Sequence, residues 1–427
     1  MRHTIGGLAA LLLGSGLLLL GHGMLISLLS IRGNLEGFGA ELIGGIGTAY
    51  YLGFFGGCML LPPVMRRVGH IRIFSASAAL IGAAVLIMAL VVDPWLWLPV
   101  RVLTGFAMAT MFMAVESWLN VRATNESRGR IYSVYMLINL GAAVAAQQVL
   151  RIAPPEELTL FVIAALLVML GVLPVALTRS EQPPTPPVAR LNLSRLYRLS
   201  PMGTVGCFLS GLITAPFWVL GPVYAQRMGH DLVETTLFKS LVIAGGTAMQ
   251  FPLGWLSDRV DRRTVLIGVF ALVTLVSSVM AMTLGLELRL WLALGAVFGG
   301  VAFCVNALCV SHVNDVMVNE DRISTSAGLL LLFGAGAVVA PVLAGFTMAW
   351  FGPGGMFGQI AVVAAFGCVF AIIRRKVSTA PPDEQKEPFV MTSKTTAAGL
   401  PLDPRMPPEV EEPGTDGPGL PEGNASS

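Results

Sequence analysis

The chain has 427 residues, of which 55% are hydrophobic and only 12% charged, and its net charge is +2. Its mean hydropathy is +0.75. Soluble globular chains are about a quarter charged, so most of this surface cannot face water, and so small a net charge gives no reason to expect a nucleic-acid partner.

Charges cluster between long apolar blocks. A bilayer core of about 30 Å takes about 20 residues of helix. Twelve blocks reach that length: 8–31, 42–61, 73–92, 95–118, 131–153, 158–178, 201–223, 235–256, 264–285, 289–311, 324–349 and 354–373. The first follows Arg2 and His3 as a signal peptide would, but it is too long and lacks a small-residue cleavage site. It is expected to stay as a membrane helix. With the N-terminus inside, Arg66, Arg67, Arg72, Arg122, Arg128, Arg130, Arg259, Arg262, Arg263, Arg322, Arg374, Arg375 and Lys376 all fall on the inner side. The outer segments receive Arg32, Arg151, Arg227, Lys239 and Arg289. This positive-inside bias predicts a multi-pass bacterial inner-membrane protein with both termini cytoplasmic. Trp95, Trp97, Trp118, Trp255, Trp291 and Trp350 fall at block ends, where an interfacial belt would place them, with Trp218 deeper. Cys58, Cys207, Cys304, Cys309 and Cys368 lie in apolar blocks without C-x-x-C spacing and read as small core residues.

The basic, Pro-rich segment 179–200 divides 1–178 from 201–376, six helices from six. The tail 377–427 is rich in Pro, Gly and acidic residues and is expected to be disordered. The halves repeat. Ser117, Asn120, Asn125, Glu126 and Arg128 recur at an offset of 194 as Ser311, Asn314, Asn319, Glu320 and Arg322, and Gly105 recurs as Gly299. The loops after the second and eighth blocks align at an offset of 192.

The loop after the eighth block reads GWLSDRVDRR, Gly254 to Arg263. It resembles the G-x-L-x-D-R-x-G-R-R signature of the major facilitator superfamily; the plain alternative is an ordinary basic loop. The resemblance implies a close helix contact at Gly254, a helix N-terminus facing Asp258, and a cytoplasmic interface held by Arg259 and Arg262. The first-half copy, LPPVMRRVGHIR, has Pro62 for the glycine and Arg66 for the acid. Superfamily packing would bring Asp258 to Arg128 and Arg130, and Arg66 beside Arg67 to Glu320 and Asp321, a charge-swapped gate. Arg101 and Gly105 resemble the superfamily's R-x-x-x-G pattern in helix 4, and the segments VESWLNVRATNESRGR, RRVGHIR and SHVND narrow the likeness to the YcaD-like branch over about residues 8–376. That implies an all-α membrane protein of the major facilitator fold, twelve transmembrane helices in two pseudo-symmetric halves. It implies a secondary transporter and names no ligand.

Arg101 is a charge among apolar neighbours, which usually faces a cavity or partner. Snorkelling is the alternative, since water lies about 9 Å away along the helix. Glu116 lies about 22 Å further on, too far to pair with it. His312 and Asp315 share a helix face and form a candidate proton-coupling pair or a solvated helix end. His22 is a deeper titratable candidate. Asn139, Gln147, Gln148, Gln250 and Asn306, with Tyr50, Tyr51 and Trp218, are helix-helix glue singly. As a set they suggest a cavity for a neutral or amphipathic small molecule, and the absence of paired mid-membrane acids argues against a strongly cationic one. The small residues of GAVVAPVLAG, Gly336 to Gly345, predict close helix packing. No G-x-x-x-x-G-K-[ST] and no metal-spaced His/Glu pair occur, so no P-loop ATPase, enzyme or cofactor is expected. The expected partners are a small-molecule substrate, the lipid bilayer and protons as coupling ion, for a monomeric carrier. A non-transporting receptor or assembly factor with the same fold is the competing reading.

Overall fold

Aspartate, serine and proline mark where several helices begin. Asp93 accepts from the Leu96 N–H at 2.9 Å with Pro94 next in the chain, and Ser200 accepts from Gly203 N–H ahead of Pro201. Asp231 and Glu234 form a reciprocal capping box. The computed structural model describes residues 2–124, 126–177, 193–282, 285–317, 322–377, 389–390 and 396–402. The first half comprises α1 (Arg2–Leu35), α2 (Ala40–Val68), α3 (His70–Leu90), α4 (Pro94–Arg122), α5 (Arg128–Val149), α6 (Leu158–Leu170) and α7 (Leu173–Ala176). A short α8 (Leu193–Leu199) lies in what was expected to be linker. The second half comprises α9 (Pro201–Arg227), α10 (Leu232–Arg259), α11 (Arg262–Met282), α12 (Leu288–Ala302), α13 (Cys304–Asn314), α14 (Arg322–Phe351) and α15 (Gly355–Val377). A final 3-10 helix spans Ala397–Leu402.

Among the described residues, eleven helical stretches are long and apolar enough to cross a bilayer, with α6–α7 and α12–α13 each counting as one. The expected twelfth is α10, 28 residues long but diluted by Thr235, Thr236, Lys239, Ser240 and Gln250. Its outer face still presents Phe251, 80% exposed, beside the half-exposed Trp255. Apolar surface of that kind suits lipid.

Apolar side chains gather in two cores. One draws on residues of α1–α7, the other on α8–α15 with Ala40 and Ile43 from the start of α2. Glycines set the closest helix contacts in both, at matching positions. A Cβ at Gly53 would collide with the Val102 carbonyl, and one at Gly105 with that of Tyr50, so α2 and α4 touch backbone to backbone. Gly245 and Gly299 do the same between α10 and α12, against Ala296 and Val242. These pairs lie at the repeat's offsets of 192 and 194, which places Gly105 in helix packing.

The halves meet where α2 lies against α14 and α5 against α10. The α2–α3 and α10–α11 turns mark one end of the molecule, the motif end; the opposite end is the far end. At the far end Gly44 rests on the Pro341 carbonyl and Gly345 on that of Ala40, with no room for a Cβ. The close packing expected of 336–345 is therefore present, since Gly336 also rests on the Phe208 carbonyl. Polar ties complete the closure. Arg151 donates to Thr236 Oγ1 at 2.7 Å and to the Val233 carbonyl at 3.1 Å. Arg227 donates to Asn34 Oδ1 at 2.8 Å and to the Phe38 carbonyl at 3.1 Å.

Two expectations need correction here. Trp95, Trp255 and Trp350 are exposed at helix ends, but Trp97, Trp118 and Trp291 are buried. Trp97 donates to the Met88 and Val91 carbonyls, and Trp291 stacks on Phe238 at 4.1 Å. Their rings complete the cores. The tail, expected to be disordered throughout, contributes residues 389–390 and 396–402 to the motif end. Its 3-10 helix packs on α4, α5 and α14, and Thr396 and Ala398 are each 3% exposed.

Candidate substrate site between the halves

Arg101 sits about 10 Å along α4 from its capped start and is buried. Its guanidinium lies over the Tyr50 ring of α2, 4.4 Å from the centroid. Among the described residues the side chain makes one long bond, 3.4 Å, to Thr104 Oγ1, and its Nε has no acceptor. It therefore does not snorkel. Tyr50 Oη is 3.1 Å from His22 Nε2 on α1, and His22 also meets Phe112 edge-on.

Lys239, assigned from sequence to the outer segments, lies instead about 10 Å inside α10 and is 1% exposed. Its ammonium donates to Ser27 Oγ of α1 at 2.7 Å and to the Trp218 carbonyl of α9 at 3.0 Å. The Trp218 ring lies 5.5 Å from the nitrogen and stacks on Phe303 at 5.6 Å. The Ser27 hydroxyl in turn donates a hydrogen bond to Gln147 Oε1 at 2.9 Å, so a buried polar chain joins α10, α1 and α5. Gln148 adds a 2.8 Å bond to Ser240. Lys239, Ser27 and Phe303 are the residues that sequence reasoning missed. The capping box at Asp231 was the available signal, because it puts the start of α10 two turns before the lysine.

The structure brings Arg101, His22, Tyr50, Tyr51, Trp218 and Gln147 to one region on the two sides of α1. Asn139 Nδ2, Gln250 Oε1 and Asn306 Oδ1 are buried polar atoms without a partner among the described residues. A group left so is costly unless something binds it.

The motif end departs from expectation. Asp258 pairs with Arg262 on the next helix at 2.9 Å and accepts the Phe389 backbone N–H at 3.0 Å. It makes no bond to Arg128 or Arg130. The Phe389 ring fills the space a Cβ at Gly254 would need, so that glycine admits the tail. Asp315 forms an ion pair with Arg262 at 3.1 Å and not with His312. The guanidinium out-competes a neutral ring for the carboxylate. Glu116 is buried and accepts from Tyr135 at 3.5 Å and from Thr396. Arg259 lies over Trp255, and Arg67 is exposed. Glu320 and Asp321 lie outside the described residues, so the gate proposed for Arg66 has no geometry here. In the turn before α11, burial raises the Asp261 carboxyl pKa, but hydrogen bonds and charge from Arg263 outweigh it and hold the pKa below its ordinary value. All five cysteines are free. Among the described residues no cluster of three His, Cys, Asp or Glu could hold a metal.

Comparison with known proteins fits this architecture. The sequence profile described as Major Facilitator Superfamily matches residues 11–315 and 240–405. The MFS-type transporter YcaD of Escherichia fergusonii is 23% identical over 342 residues, covering 80% of this chain and 88% of that one. Among solved structures, a point mutant of the nucleoside transporter NupG superposes with a TM-score of 0.74 at 13% identity, covering 87% of this chain and all of the other. A bacterial homologue of the human lysosomal transporter Spinster, inward-facing and occupied, gives 0.69 at 15% identity over 89% of this chain and 97% of its own. At such identities the likeness is one of fold.

Proposed function

The chain belongs to the Major Facilitator Superfamily, and on that premise we propose that it moves a small solute across the bacterial cytoplasmic membrane by alternating access. It is a multi-pass transporter, not an enzyme. The observation that carries the reading is the pairing of a sealed far end with a polar cluster reached from both halves. Arg101 and Tyr50 come from the first half, Lys239 and Trp218 from the second. Sites between repeats near mid-depth are how such carriers work. The arginine-rich motif end faces the cytoplasm in this reading, with both termini on that side, and the conformation described is closed toward the outside.

Protons are the proposed coupling ion, with the buried Glu116 as carrier, and the protein acts as a monomer. The test compares the secreted and retained metabolites of cells lacking and overproducing the protein. A solute whose distribution follows expression supports transport. No change in any solute would favour a receptor or assembly factor of the same fold. Transport that ignores a pH gradient in both the wild type and Glu116→Gln would remove the coupling proposal.

A further inference from the structure

Two buried cations approach the space between the halves, and among the described residues neither has a carboxylate partner. We propose that Arg101 and Lys239 together bind the charged group of a small organic anion. The inference deepens the transporter reading by naming a substrate class, although the binding site would stand without transport.

Charge favours an anion. Arginine stays ionised at any physiological pH, and a buried, unpaired charge is retained in a membrane protein only where something compensates it. Among the described residues the buried acids are engaged elsewhere. Glu116 lies about 22 Å further along α4, where Tyr135 and Thr396 donate to it. Asp315 is held by Arg262. Among the described residues neither Arg101 nor Lys239 forms an ion pair. An anion would supply the missing charge.

Donor geometry agrees. With the Arg101 guanidinium carbon over the Tyr50 ring, Nε has no acceptor among the described residues and Nη1 has only the long bond to Thr104. A carboxylate or phosphate accepts from such an edge in bidentate fashion. Lys239 has three N–H donors and uses two, on Ser27 and the Trp218 carbonyl.

Position links the two. Each cation follows the start of its helix by seven residues, Pro94 to Arg101 and Leu232 to Lys239. Each therefore lies about 10 Å along its helix from the far end, and both reach α1: Arg101 by way of Tyr50, which is 3.1 Å from His22, and Lys239 by its bond to Ser27. Ring faces surround them: Tyr50 and Tyr51 near Arg101, the Trp218–Phe303 stack near Lys239. An aromatic or apolar body with one anionic group fits that lining, and a neutral solute would leave both charges uncompensated. The expectation of a neutral or amphipathic solute rested on the neutral polar and aromatic residues, with Lys239 counted among the outer segments.

The competing account makes Lys239 a latch that only ties α10 to α1. Purified protein in lipid nanodiscs separates the two by titration with benzoate and phenyl phosphate against the neutral benzamide and benzyl alcohol. Binding is read by calorimetry and tryptophan fluorescence. The anions should bind at least tenfold more tightly than the neutral compounds. Arg101→Gln and Lys239→Gln should each weaken the anions at least tenfold and leave the neutral compounds unchanged. Lys239→Arg, which restores charge but not the latch geometry, should recover most of the affinity. Arg101→Lys should lose less than Arg101→Gln, and it serves if the glutamine variant does not fold. Equal binding of anions and neutral compounds, no binding of either anion, or unchanged anion affinity in both glutamine variants would overturn the proposal. Such a failure would not touch the transporter reading, which is judged by solute movement.

Discussion

Removing the far-end ties should open the far end by a predictable amount. Arg151 and Arg227 together donate four bonds across the seam, to Thr236, Val233, Asn34 and Phe38. In this partly exposed setting each contributes about 0.5–0.75 kcal/mol net. The double variant Arg151→Ala/Arg227→Ala should thus lose about 2–3 kcal/mol, a shift of about 30- to 150-fold toward a state open at the far end. The assay is the distance between spin labels on Ile152→Cys and Glu287→Cys, with the half-buried Cys58 and Cys368 replaced by alanine. The wild type should give one short distance, and the double variant should add a longer population that dominates. An unchanged distribution would show that the glycine contacts at Gly44 and Gly345 hold the seam alone, and the polar ties would then have no part in the equilibrium.

Other outcomes follow from the same geometry. Gly105→Leu and Gly299→Leu should each disrupt a backbone contact, at about 1–3 kcal/mol or more, while Gly268→Ala, with open space around it, should not; thermal unfolding in detergent would show a lowered melting temperature for the first two alone. Deleting residues 389–427 removes the tail's own bonds to Asp258 and Glu116 and leaves those from Arg262 and Tyr135, so a cysteine at Ser117 should react faster with maleimide from the motif end. Equal rates would mean that the tail does not cover it. Asp261 has a depressed pKa, so its contribution to stability is full above the ordinary carboxylate value of 3.8 and is lost as pH falls through the lower folded value. Asp261→Asn should therefore lower the melting temperature at pH 7 and matter progressively less under acid. A pH-independent difference would contradict the assignment.

Much of the architecture was legible because bilayer physics leaves few options. Apolar length marks helices, and eleven of the expected blocks meet that criterion in the structure. The internal offsets of 192 and 194 predicted a repeat that Gly53, Gly105, Gly245 and Gly299 realise as equivalent contacts. Arg101 could be singled out because a charge among apolar neighbours is conspicuous. Lys239 was obscured because a lysine near a helix start looks the same in sequence whether it faces solvent or a cavity. The tryptophans show the same limit, since Trp95 and Trp97 are two residues apart yet one is exposed and the other buried. The motif residues were recognised, but their partners were not. Asp258 meets Arg262 and the Phe389 backbone, and the second lies 131 residues away, where the motif's spacing gives no sign of it.

Alternating access requires a site that opens to each side in turn. Asn306→Cys, half-buried in the second half, can be probed with an impermeant maleimide in right-side-out and inside-out vesicles. The wild type should react predominantly from the motif end and the Arg151→Ala/Arg227→Ala variant predominantly from the far end. Reaction from the same single side in both proteins would contradict alternating access.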